Sequence, residues 1–335
     1  MQFEEAFHLS VEKILQGNRE QAHSFEQCAQ ALYDPKKHAD FFSVDGYKKY
    51  IVHKTANYTL EFYKWQGIAR GIVAAFDTVE LTVDDPIFSR YYINNQQLDI
   101  VALRRNHIDY YYEDISQAYY KALTAAIFKN YNKTFAYGTS LAGYCALYLG
   151  AVIPNVKILA FSPRNLGKQA YKQFPIVSAP VTLLLDVKNA TDGRFYEENL
   201  KNTLLQCTFL ALPYAGHRVP LYLKEVGQLR HVFEQFFAEQ PITLEFPRSR
   251  RYESAEYMTN LARRLRRHQH YKWALQASEH ALRLAPSLDR ALYEQALILH
   301  EMGNITAAIT CLVEAIEKGT TLLEIPKTLA LFRAE

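Results

Sequence analysis

With 335 residues, the chain has the length of about two average domains. Apolar residues make up 49% of it and charged residues 22%, which excludes an intrinsically disordered chain. The formal net charge of +3 is too small to require a nucleic-acid partner.

The start of the chain and its cysteines bear on location. The first residues are acidic and amphipathic and lack the basic segment and apolar run of a signal peptide. No stretch approaches the roughly 18 apolar residues that a membrane helix needs. The 4 cysteines are scattered without the paired spacing of a zinc site, which indicates reduced thiols. We therefore expect a cytoplasmic protein without a transmembrane segment, which is compatible with peripheral docking on a membrane complex.

Two short helices are predicted in the N-terminal segment. One covers residues 3–15 and ends at Gly17, and the other covers residues 19–33 and ends before Pro35. The sequence GNREQAHSFEQCAQALYDP resembles the second helix of a tetratricopeptide unit. Residues 1–45 are therefore interpreted as a helical hairpin of tetratricopeptide type.

Strand and helix patterns alternate in the next part of the chain, residues 46–245. Strands are predicted at 47–65, 67–76, 98–104, 133–138, 156–163, 179–186 and 207–213, and helices at 116–129 and 141–151. Apolar strands separated by helices favour a mostly parallel sheet with helices on both faces. The fold class that we expect for this domain is α/β.

Residues 252–335 are predicted to be all α-helical, because small and apolar residues recur there at a period of 34. Ala262 pairs in this way with Ala296, and Ala274 with Ala308. Small side chains at such positions allow paired helices to approach closely. The segments YKWALQASEHALRLAP and NITAAITCLVEAIEKG resemble tetratricopeptide repeats, and this resemblance implies a protein partner for the helices.

The central motif is TFAYGTSLAGYCALYLGA, in which a strand leads into a sharp turn at Ser140 and a helix leaves it. This context, with small residues at Gly138 and Ala142, is typical of the turn that exposes a nucleophilic serine in esterases. Ala142 replaces the final glycine of the usual G-x-S-x-G pattern. Ser140 is the predicted nucleophile, and the backbone N–H of Leu141 is the predicted first oxyanion donor.

A nucleophilic serine needs a base and an acid that orients the base, and in proteins with such a turn the chain order is serine, acid, histidine. His217 lies in a glycine-containing loop after the last predicted strand, and we favour it over His107 as the base. Asp192, in the loop after the preceding strand, is the favoured acid. Asp186 is the alternative acid, or else it holds the loop by accepting backbone N–H groups.

A second oxyanion donor is expected in the loop after strand 67–76, at the backbone N–H of Asp77 or Thr78. Thr78 is favoured, because an acidic side chain beside an oxyanion is unfavourable unless it points away.

Substrate contacts are expected from two further loops. The segment HIDYYYED offers Tyr110 and Tyr111 as an aromatic platform for a sugar. Arg164, just past the end of a strand, is placed to meet an anionic substrate group, although a surface arginine is an equally good interpretation.

The segments GTSLAGYCALYLGA, KILAFSPR and LPYAGHRVPLYLKEVG resemble the α/β-hydrolase superfamily, in particular a bacterial branch associated with surface polysaccharides. The resemblance covers residues 47–235. It implies an α/β-hydrolase-type sheet, with Ser140 as nucleophile, His217 as base and Asp192 as acid.

The resemblance implies a serine acyl-transfer enzyme, either an esterase or an O-acetyltransferase, that acts on a bacterial surface polysaccharide or its precursor. The expected substrate is a glycan or a small ester, and no cofactor is implied other than an acyl-CoA-type donor if the acyl group goes to a sugar. No P-loop, dinucleotide fingerprint or HExxH motif is present, so neither a nucleotide nor a metal is implied.

Two alternatives stay open at this point. The first is a non-catalytic scaffold that binds partners through its helical repeats. The second is a nucleic-acid or phosphate-binding protein, suggested by the arginines of 246–254 and 263–272. A solvated helical face explains these arginines better, and we expect no nucleic-acid partner.

Overall fold

The computed structural model of the chain describes residues 1–42, 45–88, 90–165, 174–320 and 322–334. Its contacts divide the chain into two units. Unit 1 comprises Met1–Leu184, Ala190–Ala211 and His231–Ile242, and unit 2 comprises Leu185–Asn189, Leu212–Arg230 and Thr243–Glu335. The segments that contain Asp186 and His217 therefore belong to the same unit as the C-terminal helices.

Eight strands form one sheet in the described part of the chain. They are β1 (Tyr47–Lys54), β2 (Tyr58–Trp65), β3 (Gly71–Phe76), β4 (Leu98–Arg105), β5 (Thr134–Thr139), β6 (Val156–Phe161), β7 (Val177–Leu185) and β8 (Leu204–Ala211). Their order is β1-β2-β4-β3-β5-β6-β7-β8. Strand β2 is antiparallel to β1 and β4, whereas β4, β3, β5, β6 and β7 pair in parallel. This is an α/β-hydrolase-type sheet, as predicted.

The burial of the strands follows from their places in the sheet. All residues of β3 and β4 are buried, because central strands are covered on both faces. Strand β1 lies at the edge, and after the buried Tyr47 it consists of half-buried and exposed residues. The prediction of a strand over 67–76 was too long, since β3 begins at Gly71. The carbonyl of Gly67 instead accepts a hydrogen bond from Nζ of Lys64 at 3.1 Å.

In chain order the helices are α1 (Phe3–Leu15), α2 (Arg19–Leu32), α3 (Pro35–His38), α4 (Arg90–Asn94), α5 (Gln117–Phe128), α6 (Leu141–Tyr148), α7 (Ala190–Phe195), α8 (Val219–Glu225), α9 (Leu229–Phe237), α10 (Ala255–Arg267), α11 (Tyr271–Leu284), α12 (Asp289–Glu301), α13 (Ile305–Glu317) and α14 (Glu324–Ala334). Helices α1 and α2 pack together, and α1 contacts α5 within unit 1. Their kinship with a tetratricopeptide unit stays a prediction.

The C-terminal region is all helical, as predicted. Helix α10 packs on α11, and α12 packs on α13. The alanines at positions 262, 274, 296 and 308 are fully buried, which is the close approach expected of small residues. Membership of the tetratricopeptide family stays a prediction.

In the described ranges, no helix has both the length and the apolar character needed to cross a bilayer.

Candidate active site

Ser140 stands alone between β5 and α6 with a backbone conformation that non-glycine residues rarely adopt, at φ +54° and ψ −121°. Such a conformation costs about 1–3 kcal/mol and persists only where the surroundings enforce it. The N–H of Ser140 donates to the carbonyl of Phe161 at 3.0 Å, and its carbonyl accepts from the N–H groups of Tyr144 and Arg164. The turn is therefore held on β6 and on the loop that follows it.

The turn requires glycine at position 138. A Cβ there would lie 2.3 Å from the carbonyl carbon and oxygen of Ala142. Gly143 is nearly as confined, since its Cβ would lie 3.1 Å from the carbonyl oxygens of Gly138 and Phe161. The strand and the helix can approach so closely only because these side chains are absent, which agrees with the strand–turn–helix arrangement of a nucleophilic serine.

Two backbone N–H groups near this turn are available to an oxyanion. Those of Leu141 and Thr78 have no hydrogen-bond acceptor among the described residues. Strands β3 and β5 are parallel neighbours, with Ala75 opposite Tyr137. Thr78 and Ser140 follow these two residues by the same number of positions, so both lie just beyond the same edge of the sheet.

The backbone N–H and the carboxylate of Asp77 are both engaged in hydrogen bonds. Its N–H donates to Oη of Tyr112 at 3.1 Å, and its carboxylate accepts from Nε of Arg104 and from the N–H of Arg105, both at 2.8 Å. Burial raises the pKa of Asp77, although Arg104 opposes the shift. The carboxylate thus contacts β4. An acidic residue at position 77 is therefore compatible with an oxyanion site in this loop.

Arg105 ties together two loops of unit 1. This residue is 0% exposed, and its guanidinium donates to the carbonyl of Thr78 at 2.7 Å, to that of Tyr110 at 2.5 Å and also to that of Ile108. A planar guanidinium with several fixed donors suits such divided contacts. Sequence reasoning missed this role, because an arginine at a strand end resembles a surface residue.

The tyrosine-rich loop differs from an open aromatic platform. Tyr110 is 7% exposed, its hydroxyl donates to Asp114, and burial raises its pKa. Tyr111 is half-buried, with its ring 5.5 Å from the guanidinium carbon of Arg105. A cavity of about 740 Å³ adjoins this loop and is lined by Asn57, His107, Asp109, Tyr110, Glu113 and Asp114. Tyr110 thus lines the cavity but exposes little of its surface, and Tyr111 is not among the lining residues.

Arg164 and Asp192 form an ion pair within unit 1, the unit that also contains Ser140. Nη1 of Arg164 lies 3.4 Å from Oδ1 of Asp192, whose side chain is almost fully buried in the first turn of α7. The backbone N–H of Arg164 donates to the carbonyl of Ser140 at 3.0 Å. The ion pair partly neutralises Arg164, which weakens its candidacy as an anion-binding residue.

In unit 2, Asp186 is hydrogen-bonded to Gly216, the residue that precedes His217. Oδ2 of Asp186 accepts the N–H of Gly216 at 2.9 Å, and Oδ1 accepts the N–H of Lys188 at 2.7 Å. Asp186 thus accepts backbone N–H groups from two loops, the holding role foreseen as the alternative to an acid. His217 is half-buried, whereas the competing His107 is exposed.

No group of three or more potential metal-ligating side chains occurs in the ranges that the structure describes.

Comparison with known proteins finds no matching family model and no matching curated protein. Solved structures match over part of the chain. Alpha/beta hydrolase domain-containing protein 10 from mouse is 10% identical with a TM-score of 0.39, over 57% of this chain and 98% of that chain. Dienelactone hydrolase from Anabaena variabilis is 19% identical with a TM-score of 0.37, over 58% and 96%. Est1E from Butyrivibrio proteoclasticus is 12% identical with a TM-score of 0.37, over 58% and 98%. Because these TM-scores are below 0.5, the fold is assigned from the strand order of the sheet and not from these matches.

Proposed function

We propose that this protein is a serine acyl-transfer enzyme with Ser140 as nucleophile and His217 as base. The observation that carries the proposal is the strained turn at Ser140, where φ is +54° and a Cβ on Gly138 would meet Ala142 at 2.3 Å. Backbone strain of this kind clusters at functional sites, and a nucleophile turn is its best-known use between a strand and a helix.

In the first step, His217 removes the proton of the Ser140 hydroxyl while Oγ forms a bond to the acyl carbon. The N–H groups of Leu141 and Thr78 hold the oxyanion, and each such donor is worth about 2.7–4 kcal/mol of barrier. The bond to the leaving group then breaks, and the leaving group takes the proton from His217. An acyl ester on Ser140 remains.

The second step decides between an esterase and an O-acyltransferase. Water or a sugar hydroxyl loses its proton to His217 and attacks the acyl carbon. The bond from Oγ of Ser140 to that carbon then breaks, and Oγ takes the proton back from His217. Transfer to a sugar requires an acyl donor, for which an acyl-CoA-type thioester is suitable, and a site that excludes water. The cavity beside Tyr110 offers amide, imidazole and carboxyl groups around an aromatic edge, the combination that a polysaccharide or small glycan needs.

The acid of the triad is proposed to be Asp192. Both carboxylate oxygens of Asp186 accept backbone N–H groups, which fits a residue that holds loops. Asp192 is as buried as Asp186, at 2% exposed, and a buried acid is what orients a catalytic histidine.

The test is intact-mass spectrometry after incubation with a fluorophosphonate probe. We expect one adduct on wild-type protein, none on Ser140→Ala and at most a trace on His217→Ala. His23→Ala is the matched control, because it removes an exposed histidine of α2 that has no proposed role, and it should label like wild type. A folded wild-type protein without an adduct would refute the proposal.

A second assay separates hydrolysis from transfer. The protein is incubated with acetyl-CoA, with and without a polysaccharide acceptor, and release of free CoA is recorded together with acetylation of the glycan. Glycan-dependent release identifies an O-acetyltransferase, whereas release that is independent of the glycan identifies a hydrolase.

A scaffold function is the second candidate, and the helical pairs α10–α11 and α12–α13 favour it. A scaffold would give no adduct on Ser140, so the same probe decides between the two. Nucleic-acid binding has lost support, because Arg263 and Arg266 pair with Glu294 at 3.0 and 2.5 Å.

A further inference from the structure

The loop that carries His217 is held from two sides within unit 2. On one side, Gly216 donates its N–H to Asp186 at 2.9 Å. On the other side lies helix α10, since a Cβ on Gly216 would be 2.2 Å from Nδ2 of Asn260 and 2.8 Å from its Cγ. The amide of Asn260 thus rests directly on the backbone of Gly216, where φ is +71°.

The Asn260 amide is fixed by its own helix. Its Nδ2 donates to the carbonyl of Glu256 at 2.8 Å and to Oε1 of Glu256 at 3.2 Å. The backbone N–H of Glu256 donates to Oε2 of Glu225 at 3.1 Å, and the Ser254 hydroxyl donates to the same oxygen at 2.5 Å. Glu225 ends α8, the helix that begins two residues after His217. Helix α10 therefore contacts both ends of the segment 216–225.

Aromatic and charged contacts strengthen this junction. The ring of Tyr257 in α10 lies edge to face with Tyr214, with 6.0 Å between centroids. Burial raises the pKa of Glu256, while Arg290 of α12 and Arg218, the neighbour of His217, oppose the shift. The charged groups around this junction include Asp186, Arg218, Glu225, Arg251, Glu256 and Arg290.

We propose that Asn260 is a positioning residue for His217, so that the first helix of the C-terminal region is part of the support of the catalytic base. This inference rests on the proposed role of His217. Glycine allows the backbone before His217 more conformations than other residues do, and the contact with Asn260 restricts them. Small errors in the placement of a base slow catalysis strongly.

The experiment measures the rate of fluorophosphonate labelling of Ser140 against pH in the full-length protein. The variants are Asn260→Ala, Gly216→Ala and the double variant, and Arg264→Ala is the matched control, because Arg264 is an exposed residue of the same helix. Thermal unfolding is recorded for each variant, so that a loss of labelling can be separated from a loss of folded protein.

We expect Asn260→Ala to label between about tenfold and a hundredfold more slowly, with a shifted pH midpoint and a folded state like that of the control. Gly216→Ala should label more slowly still, because its methyl group meets the Asn260 amide and because a φ of +71° is unfavourable for alanine. The double variant should recover part of that loss, since alanine at position 260 removes the clash.

The inference is overturned if Asn260→Ala keeps the wild-type rate and pH midpoint, or if the double variant labels no faster than Gly216→Ala. Failure of the proposed function has a different signature. In that case the wild-type protein itself does not label, or His217→Ala labels as fast as wild type.

Discussion

Two buried carboxylates compete at the residue scale for the role of acid. We expect Asp192→Asn to slow labelling of Ser140 by about 10⁴-fold with little loss of stability, because an amide fixes the histidine in the wrong tautomer. Asp186→Asn should mainly lower the unfolding temperature, since the NH₂ group of an asparagine would oppose one of the two N–H donors, of Lys188 and Gly216. Labelling rates and thermal unfolding are measured on both variants. The reverse pattern would assign the acid to Asp186.

Arg105 is predicted to set the geometry of the oxyanion loop. Lysine keeps the charge but cannot reach the carbonyls of Thr78, Ile108 and Tyr110 at once. We expect Arg105→Lys to reduce esterase turnover by about 10²-fold, comparable with the loss of an oxyanion donor. Exposed Arg70→Lys is the control, assayed with the same chromogenic ester. Equal turnover in both variants would show that the loop needs no such anchor.

The residues of the turn were predictable because their signals are local. A serine between two small residues, after a strand and before a helix, identifies Ser140 and Leu141 without any distant contact. The roles of Arg105 and Asn260 could not be predicted, since Thr78 lies 27 positions from Arg105 and Gly216 lies 44 positions from Asn260 in the sequence. Tyr110 lines a cavity as well, but its near-complete burial and its hydrogen bond to Asp114 could not be predicted from the local pattern.

At the scale of elements, a buried ion cluster links α2 to the sheet. Nζ of Lys64 in β2 lies 2.8 Å from Glu26 in α2 and 3.3 Å from Asp99 in β4. Tyr131 donates to Asp99 at 2.6 Å. Burial is the main cause that raises the pKa of Asp99 to about 6, although Lys64 opposes it. The folded state therefore binds this proton more tightly than the unfolded chain, and ionisation of Asp99 lowers stability as the pH rises from about 4 to 6.

Lys64→Met should destabilise the protein by about 3–5 kcal/mol at neutral pH, because it leaves Asp99 buried without its counter-charge. Loss of the lysine raises the pKa of Asp99 further, so protonation relieves more of the penalty in acid. The destabilisation should be smaller at pH 5 than at pH 7.5, as measured by urea unfolding. Lys121→Met, at an exposed position, is the control. An equal loss at both pH values would mean that Asp99 is not the group left uncompensated.

Element boundaries were predictable where periodicity and end signals coincide. Helix α1 covers Phe3–Leu15 as predicted, because its apolar spacing stops at Gly17. Helices α7, α8 and α9 were not predicted. They are short, and α8 and α9 owe their burial to tertiary contacts, such as those of Tyr222 and Phe233, which are at most 2% exposed. For such helices packing, not the local pattern, determines the structure.

At the scale of the whole molecule, the sequence suggests an α/β domain followed by separate helical repeats. The contact division instead groups α10–α14 with Leu185–Asn189 and Leu212–Arg230, which come from within the sheet region of the sequence. Periodicity could not show this grouping, because the hydrogen bonds from Ser254 and Glu256 to Glu225 join residues about 30 positions apart. The helical region is thus continuous in packing with the loop of the proposed base.

Removal of the C-terminal helices therefore tests whether they are an independent attachment. A chain that ends at residue 251 lacks α10, so α8 loses the cover of its buried Tyr222 and the partners of Glu225. We expect this chain to unfold at a lower temperature and to lose labelling of Ser140, because the loop of His217 is no longer held by Asn260. The matched control ends at residue 319 and keeps α10–α13. It should be destabilised, since Ile325 and Phe332 of α14 pack in the core of the last helices, yet it should still label. If the shorter chain labelled at the wild-type rate, the helices would be an appended binding module, and the support of His217 would lie entirely within the remaining chain.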